Sequence, residues 1–204
     1  MSYSVYNFDN LPKDLDSDLV ETVDKIAKVA CHLSYLISIG SLSSVSLNKK
    51  TSTNSDGDEQ KALDVYADES YLDEFKNSPV KFYASEEQDE VINLDNEGTL
   101  ALAIDPLDGS SNIDTNVSIG SIFSIRSISE KQKFNKDNIF LAAGSEQIAA
   151  GYIIFGPQTM FVVTFGDGVK SYILDRNKNL FIDTKIETSI PADTREYAVN
   201  ASNA

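Results

Sequence analysis

One cysteine, one histidine and no tryptophan stand among 204 residues. A lone Cys31 excludes a disulfide framework and a thiolate metal cage, and it points to a reducing compartment. Cys31 lies beside Ala30 and near Leu33 on an apparent helix, so it reads as a small buried hydrophobe rather than a nucleophile. His32 sits on the same helix, away from the acidic clusters, and reads as structural. General-base chemistry would therefore fall to carboxylates. Basic residues are scarce as well. Against 32 Asp and Glu there are 17 Lys and Arg, a formal net charge of −15. Such a field repels polyphosphates and anionic lipid, so neither a nucleic acid nor a membrane partner is expected. A small anionic substrate would need a divalent cation to draw it in. No basic residue precedes Lys13 and no apolar stretch follows Met1, so no secretory signal is read. No apolar run reaches membrane-spanning length. A cytoplasmic protein is expected.

What is present is ordinary globular composition, 41% hydrophobic and 24% charged, enough for one domain over residues 1–204. From about Asp18 to Ile39, Leu19, Val23, Ile26, Ala27, Ala30, Leu33 and Ile37 recur at helical spacing. Asp18 with Glu21 suggests a capping box, and Gly40 a stop. Thr51 to Asp58 reads as a loop, and a second helix is expected from about Glu59 to Lys76, before Pro79. The period then changes. Strands are expected at Val80 to Ala84, Thr99 to Ile104, Ser118 to Ser127, Ala150 to Phe155, Met160 to Phe165, Val169 to Leu174 and Leu180 to Asp183. Gly166-Asp167-Gly168 and the Asp175 to Asn179 segment read as hairpin turns. Ser129 to Lys136 reads as a surface loop, and Phe140 to Ala150 as holding a helical stretch. Tyr197 to Asn200 reads as a last strand so near the end that the chain looks cut short. Helices first and strands after give an α+β class, with helices layered on a mostly antiparallel or mixed sheet.

The acidic residues are not scattered. They gather at Asp58 and Asp64, at Glu86-Glu87, and at Asp105-Pro106-Leu107-Asp108-Gly109-Ser110-Ser111-Asn112 with Asp114 beyond. The last run follows an apolar strand, Leu100 to Ile104, of the kind buried on both faces. Asp105 at its end is then at the rim of a core, where an unpaired carboxylate is costly. Asp108, the Leu107 carbonyl and Asp105 offer hard oxygens of the type Mg²⁺ takes. The amides of Gly109, Ser110 and Ser111 would face an anion at a helix start. A turn with a helix cap would explain Gly, Ser and Asn, but not two aspartates flanking Pro-Leu. Glu86 and Glu87 end a strand, so their side chains would point to opposite sides, one to a metal and one to water. Taken alone, that pair and the pair Asp58 and Asp64 read as solvated acid rather than as a site.

In this order the segments resemble the class I fructose-1,6-bisphosphatases of the sugar-phosphatase superfamily. The matching runs are 57–65 (GDEQKALDV), Ser85-Glu86-Glu87, and 105–114 (DPLDGSSNID), with weaker matches at 117–123 and 141–144. The resemblance implies Mg²⁺-dependent hydrolysis of the 1-phosphate of fructose 1,6-bisphosphate, in gluconeogenesis or carbon fixation, with Mn²⁺ or Zn²⁺ as substitutes. It implies Glu86 and Asp105 bridging metals, and Asp108 and the Leu107 carbonyl completing their sites. Asp58 would lie near a third metal, and Glu87 and Asp64 would activate water. Asp108, Gly109, Ser110 and Ser111 would hold the 1-phosphate, and Asn200 would reach the 6-phosphate. It also implies a homo-oligomer, a tetramer in the family. Family chains continue well past this point, and their continuation supplies another metal-ligating glutamate and the rest of the 6-phosphate pocket. The chain is thus expected to be an N-terminal portion lacking the C-terminal layer. That lack would expose apolar faces of the late strands, such as Phe161, Val163 and Phe165. Animal relatives carry Lys-Tyr where this chain has Thr99-Leu100, and an arginine where it has Ser127, with Arg126 one place off. The resemblance therefore does not carry AMP inhibition over. The alternatives are a related phosphatase acting on sedoheptulose bisphosphate or inositol phosphates, and a non-catalytic module that binds metal or anions.

Overall fold

A computed structural model describes residues 7–42, 55–94, 97–113, 115–129, 136–186, 188–189 and 191–195, with side chains from residue 62 in the second helix. Helix α1 runs Ser17–Ile39 and α2 Ser55–Phe75. Eight strands follow: β1 (Val80–Ser85), β2 (Ile92–Asn93), β3 (Leu100–Asp108), β4 (Ile119–Ser127), β5 (Gln147–Phe155), β6 (Thr159–Thr164), β7 (Val169–Asp175) and β8 (Leu180–Asp183). They form one sheet in the order β2-β1-β3-β4-β5-β6-β7-β8. Among the described strands β1 and β3 alone pair in parallel, and the other neighbours are antiparallel. The mixed sheet with helices on it is the α+β arrangement expected.

Both helices pack on one sheet face. Val23, Ile26, Ala27, Ala30 and Leu33 of α1 join Ala67, Tyr71 and Phe75 of α2 in the main core. The strands alternate with period two, as a sheet with one buried face must. Ile119, Phe123 and Ile125 of β4, Ile153 and Phe155 of β5, and Phe161 and Val163 of β6 face the helices. Phe8, Phe161, Tyr172 and Phe181 close the far end, with Phe8 edge-on to Phe161 at 5.1 Å between ring centroids. Lys28 ties α1 to α2 through Glu74, at 2.8 Å.

The opposite face is partly open. A small second core of Phe82, Ala101, Ile128 and Ile139 covers the β1–β3 end. Beyond it Ile122, Tyr152, Ile154 and Val169 are exposed. Ile122, Tyr152 and Val169 border a groove of about 880 Å³ that runs from Val162 and Tyr152 to Glu86 and Asp105. The apolar residues left exposed are therefore not the expected Phe161 and Val163, which are buried at 0% and 1%. Phe165 is half-buried against the main core. Alternation puts Phe161 and Val163 of β6 under the helices and leaves its even-numbered positions less covered.

Three local readings differ from the structure. The cap of α1 is Asp16, whose carboxylate accepts from the Asp18 amide at 2.9 Å. Helix α2 begins at Ser55, so residues 55–58 are helical rather than loop. β5 begins at Gln147, preceded by one helical turn, Lys136–Ile139, and a 3-10 turn, Gly144–Glu146. The Ala-rich composition of that stretch favours helix, but pairing with β4 overrides it. The short edge strand β2 carries no readable pattern of its own. The expected strand at 197–200 lies outside the described residues, as do 130–135 of the expected surface loop. Among the described residues no helix is long and apolar enough to cross a membrane.

The two faces make opposite predictions. Phe161→Ala should lower unfolding free energy by about 3–5 kcal/mol. Tyr152→Ser, on the open face, should change it by less than about 0.5 kcal/mol. Urea unfolding followed by circular dichroism measures both; equal losses would refute the assignment of faces.

Candidate active site

The single parallel pair builds the site. Ser85 of β1 stands opposite Ile104 of β3, and the Glu86 amide donates to the Ile104 carbonyl at 3.1 Å. Parallel pairing brings the C-terminal ends of both strands to one edge. Acids that follow β1 are thereby set beside Asp105 on β3. Grooves at the carboxyl ends of such strands are where α/β proteins place ligands.

Asp105 does not end its strand. β3 continues to Asp108, and its register with β4 shifts between Asp105 and Asp108. Pro106 explains the shift, since it has no N–H for the ladder. Side chains take over the broken bonds. The Leu107 amide donates to Asp105 Oδ1 at 3.1 Å, and Ser121 Oγ donates to the Pro106 carbonyl at 2.8 Å. Behind it, the buried Tyr71 hydroxyl donates to Ser121 Oγ at 3.2 Å. This relay across α2, β4 and β3 holds the bulge from within the core. Gly109 then turns the chain at φ +78°, a left-handed conformation that favours glycine. The 3-10 turn Ser110–Asn112 follows, closed by Asn112 N to Gly109 O at 2.8 Å and Ile113 N to Ser110 O at 3.0 Å. The leading amides of Ser110 and Ser111 precede the first amide that this turn engages.

The acids of the site act on one another. Burial pushes the Asp105 carboxyl up to about 6; Asp108, Glu86 and Asp64 add repulsion, while the Leu107 amide opposes it. Asp64, on α2, is raised by burial first and by Glu86 next, and a hydrogen bond from the Ser110 side chain lowers it. Glu87 is raised by partial desolvation, then by Asp64, and then by a hydrogen bond shared with Glu86. Mutual repulsion is thus real but second to burial. The two glutamates are not splayed to opposite sides. They occupy the exposed turn after β1, not the strand itself, and their carboxyl groups meet.

Asp64, Glu86, Glu87, Asp105 and Asp108 therefore share one neighbourhood, and Glu86 and Asp105 of it line the groove's end. Asp58 lies in the first turn of α2, with its side chain outside the description, and Asp114 and Asn200 lie outside the described residues. Among the described residues no three acids already stand around one point as a finished ion cage. One observation nonetheless favours a cation. Asp64 Oδ1 is buried without a hydrogen-bond partner, in the midst of other carboxylates. A divalent ion would satisfy that oxygen and cancel the repulsion.

The sequence reading missed Asp68. It is 2% exposed and lies four residues after Asp64, on the same helix face. That spacing was the available signal. Cys31 and His32 stay outside the site: burial pushes the thiol up to about 12, and His32 Nε2 pairs with the Tyr66 hydroxyl at 2.8 Å. Arg126 is buried and spends its guanidinium on the Ala143 and Ala142 carbonyls at 2.9 and 3.0 Å.

Comparison with known proteins places this arrangement. The sequence profile described as fructose-1-6-bisphosphatase, N-terminal domain, matches residues 12–186. A class 1 fructose-1,6-bisphosphatase of Cereibacter sphaeroides is 44% identical over 196 residues, covering 96% of this chain and 57% of its own length. One from Rhodobacter capsulatus is 47% identical over 189 residues, covering 93% and 55%. The apo crystal structure of Leishmania major fructose-1,6-bisphosphatase superimposes with a TM-score of 0.77 at 28% identity, covering 95% of this chain and 59% of that one. The chain spans a little over half the length of these relatives.

Two outcomes test the geometry. The folded pKa of Asp105 lies above its unfolded value of 3.8. Its contribution to stability is thus fully present below about pH 4 and is lost as pH rises through about 6. In EDTA, Asp105→Asn should melt close to wild type at pH 4 and above it at pH 7; a pH-independent gap would contradict the burial argument. Ser121→Ala orphans the Pro106 carbonyl and the Tyr71 hydroxyl. It should cost about 1–3 kcal/mol by urea unfolding, and a loss below about 0.5 kcal/mol would show that the relay is not needed.

Proposed function

Because the chain belongs to the fructose-1,6-bisphosphatase family through its N-terminal domain, we propose that it forms the metal-binding half of a site that hydrolyses the 1-phosphate of fructose 1,6-bisphosphate. The observation that carries this reading is the acid cluster itself: an orphaned buried Asp64 oxygen near Asp105, Glu86 and Glu87, with Glu86 and Asp105 lining the end of an open groove. Such a cluster fits Mg²⁺, with Mn²⁺ or Zn²⁺ as substitutes. Glu86, Asp105, Asp108 and the Leu107 carbonyl would hold the metal. Once bound, it activates water and stabilises charge on the attacking and leaving oxygens.

The chain's own residues do the rest. Asp64 and Glu87, both raised by their surroundings, are suited to accept the proton of the attacking water, since a base acts best when its pKa nears the working pH. The amides of Gly109, Ser110 and Ser111 bind the 1-phosphate, fixed by the bulge below them. Asp108 joins them at the leaving oxygen. Asn200 reaches for the 6-phosphate, and binding there orients the reacting end. The substrate is a sugar bisphosphate, the setting cytoplasmic carbon metabolism, and the working unit a homo-oligomer.

The test joins these 204 residues to the C-terminal remainder of the Cereibacter relative and measures phosphate release from fructose 1,6-bisphosphate. Turnover should require Mg²⁺ and fall by roughly a hundredfold or more in Asp105→Asn. Turnover that survives Asp105→Asn and Glu86→Gln would sink the assignment. Sedoheptulose bisphosphate or inositol phosphate turning over faster would favour the sister activity. The 204-residue chain alone should show little or no turnover, because remote binding energy normally positions the reacting phosphate. Comparable rates would overturn that expectation.

A further inference from the structure

We propose that Asp68 is a positioning residue that clamps the Glu86-Glu87 turn to helix α2 through Gln88. The inference rests on reading that turn as part of the metal and water site. Asp68 is buried one helical turn beyond Asp64. Both of its oxygens are engaged. Oδ1 accepts from the Tyr83 hydroxyl at 2.8 Å, and Oδ2 accepts from the Gln88 side-chain amide. Tyr83 is wholly buried on β1, and burial together with Asp68 holds its hydroxyl neutral. The clamp is therefore anchored in the core at one end and grips the turn at the other.

The turn needs such a grip. Glu86 and Glu87 are exposed, and rotamer freedom would let both swing into solvent. On the strand side the turn is fixed by Glu86 N to Ile104 O at 3.1 Å. Inside it, Glu87 N donates to Ser85 Oγ at 3.2 Å and Gln88 N to Ser85 O at 3.3 Å. These bonds are local to residues 85–88. The Gln88 side chain, reaching Asp68, links the turn's far end to the helix that bears Asp64. Asp68 thus sets the separation between Asp64 and the two glutamates without touching substrate or metal.

The experiment uses the 204-residue chain, with Mn²⁺ as the probe read by electron paramagnetic resonance. Amide hydrogen exchange is read across residues 85–88. Asp68→Ala and Gln88→Ala should each weaken Mn²⁺ binding roughly tenfold, the scale of losing an outer support, and speed exchange in the turn. Asp68→Asn can still accept from Tyr83 and can offer its amide to a flipped Gln88. It should restore slow exchange and stay within roughly threefold of wild type in affinity. Gln88→Ala leaves the core pair of Asp68 and Tyr83 intact, so it decides the matter should Asp68→Ala fail to fold. Unchanged exchange in the turn of Gln88→Ala overturns the clamp, whatever the affinity does. If the wild-type chain binds no Mn²⁺, the metal reading of the site falls instead, and the exchange data alone judge the clamp.

Discussion

The parallel pairing of β1 with β3 is the constraint on which the site depends. In a sheet otherwise antiparallel, this one pair sends two chain segments out of the same edge. Without it Glu86 and Asp105 would sit at opposite ends of the sheet. With it, the register Ser85 to Ile104 fixes their distance along the strands, and a single backbone bond from Glu86 N locks it. The remaining parts answer to that edge. α2 lies across it and delivers Asp64, the bulge at Pro106 turns Asp108 and the Ser110–Asn112 turn toward it, and the groove opens from it.

The helices and most strands were legible because their apolar spacing is long and regular, as with Leu19 to Ile37 or Ile119 to Ile125. The Asp-Pro-Leu-Asp-Gly-Ser-Ser run was legible because few other sequences need two acids around a proline at the end of so apolar a strand. What was not legible depends on partners distant in sequence. The bulge inside β3 needs Ser121, fifteen residues on. The cap of α1 needs a choice between Asp16 and Asp18 that composition does not make. Asp68 looks like surface acid until Tyr83 and Gln88 are seen around it. Which face of β6 is covered was misread because alternation gives two faces but does not say which one the helices choose.

The energetics of the cluster run against folding when no cation is present. Burial alone raises Asp105, and each neighbouring acid adds to its cost. The relay from Tyr71 through Ser121 to Pro106 offsets part of that cost by engaging the Pro106 carbonyl of the bulge. The carboxylates themselves are left imperfectly matched, as the orphaned Asp64 oxygen shows. A site optimised for the stability of this domain would bury neutral side chains there. Local mismatch of this kind is expected where a charged ligand supplies the missing half.

The same logic separates the two alternatives to a phosphatase half-site. A non-catalytic anion-binding module would benefit from amides and cations, yet the groove ends in acids and, among the described residues, its lining includes no lysine or arginine. A plain cation store would need a closed cage, yet the acids stand at the mouth of an open groove and no three of the described ones enclose a point. Acids at the end of an open cleft, with backbone amides beside them, suit a cation that must also meet a ligand. That is the requirement of metal-assisted phosphate transfer to water: the ion's first contacts come from the protein, and its remaining ones from the phosphate it helps to cleave. The open sheet face then has a second meaning. Its groove is continuous with Glu86 and Asp105, so under the proposed reading a layer covering Ile122 and Tyr152 would also wall the cleft and limit the water reaching a bound phosphate.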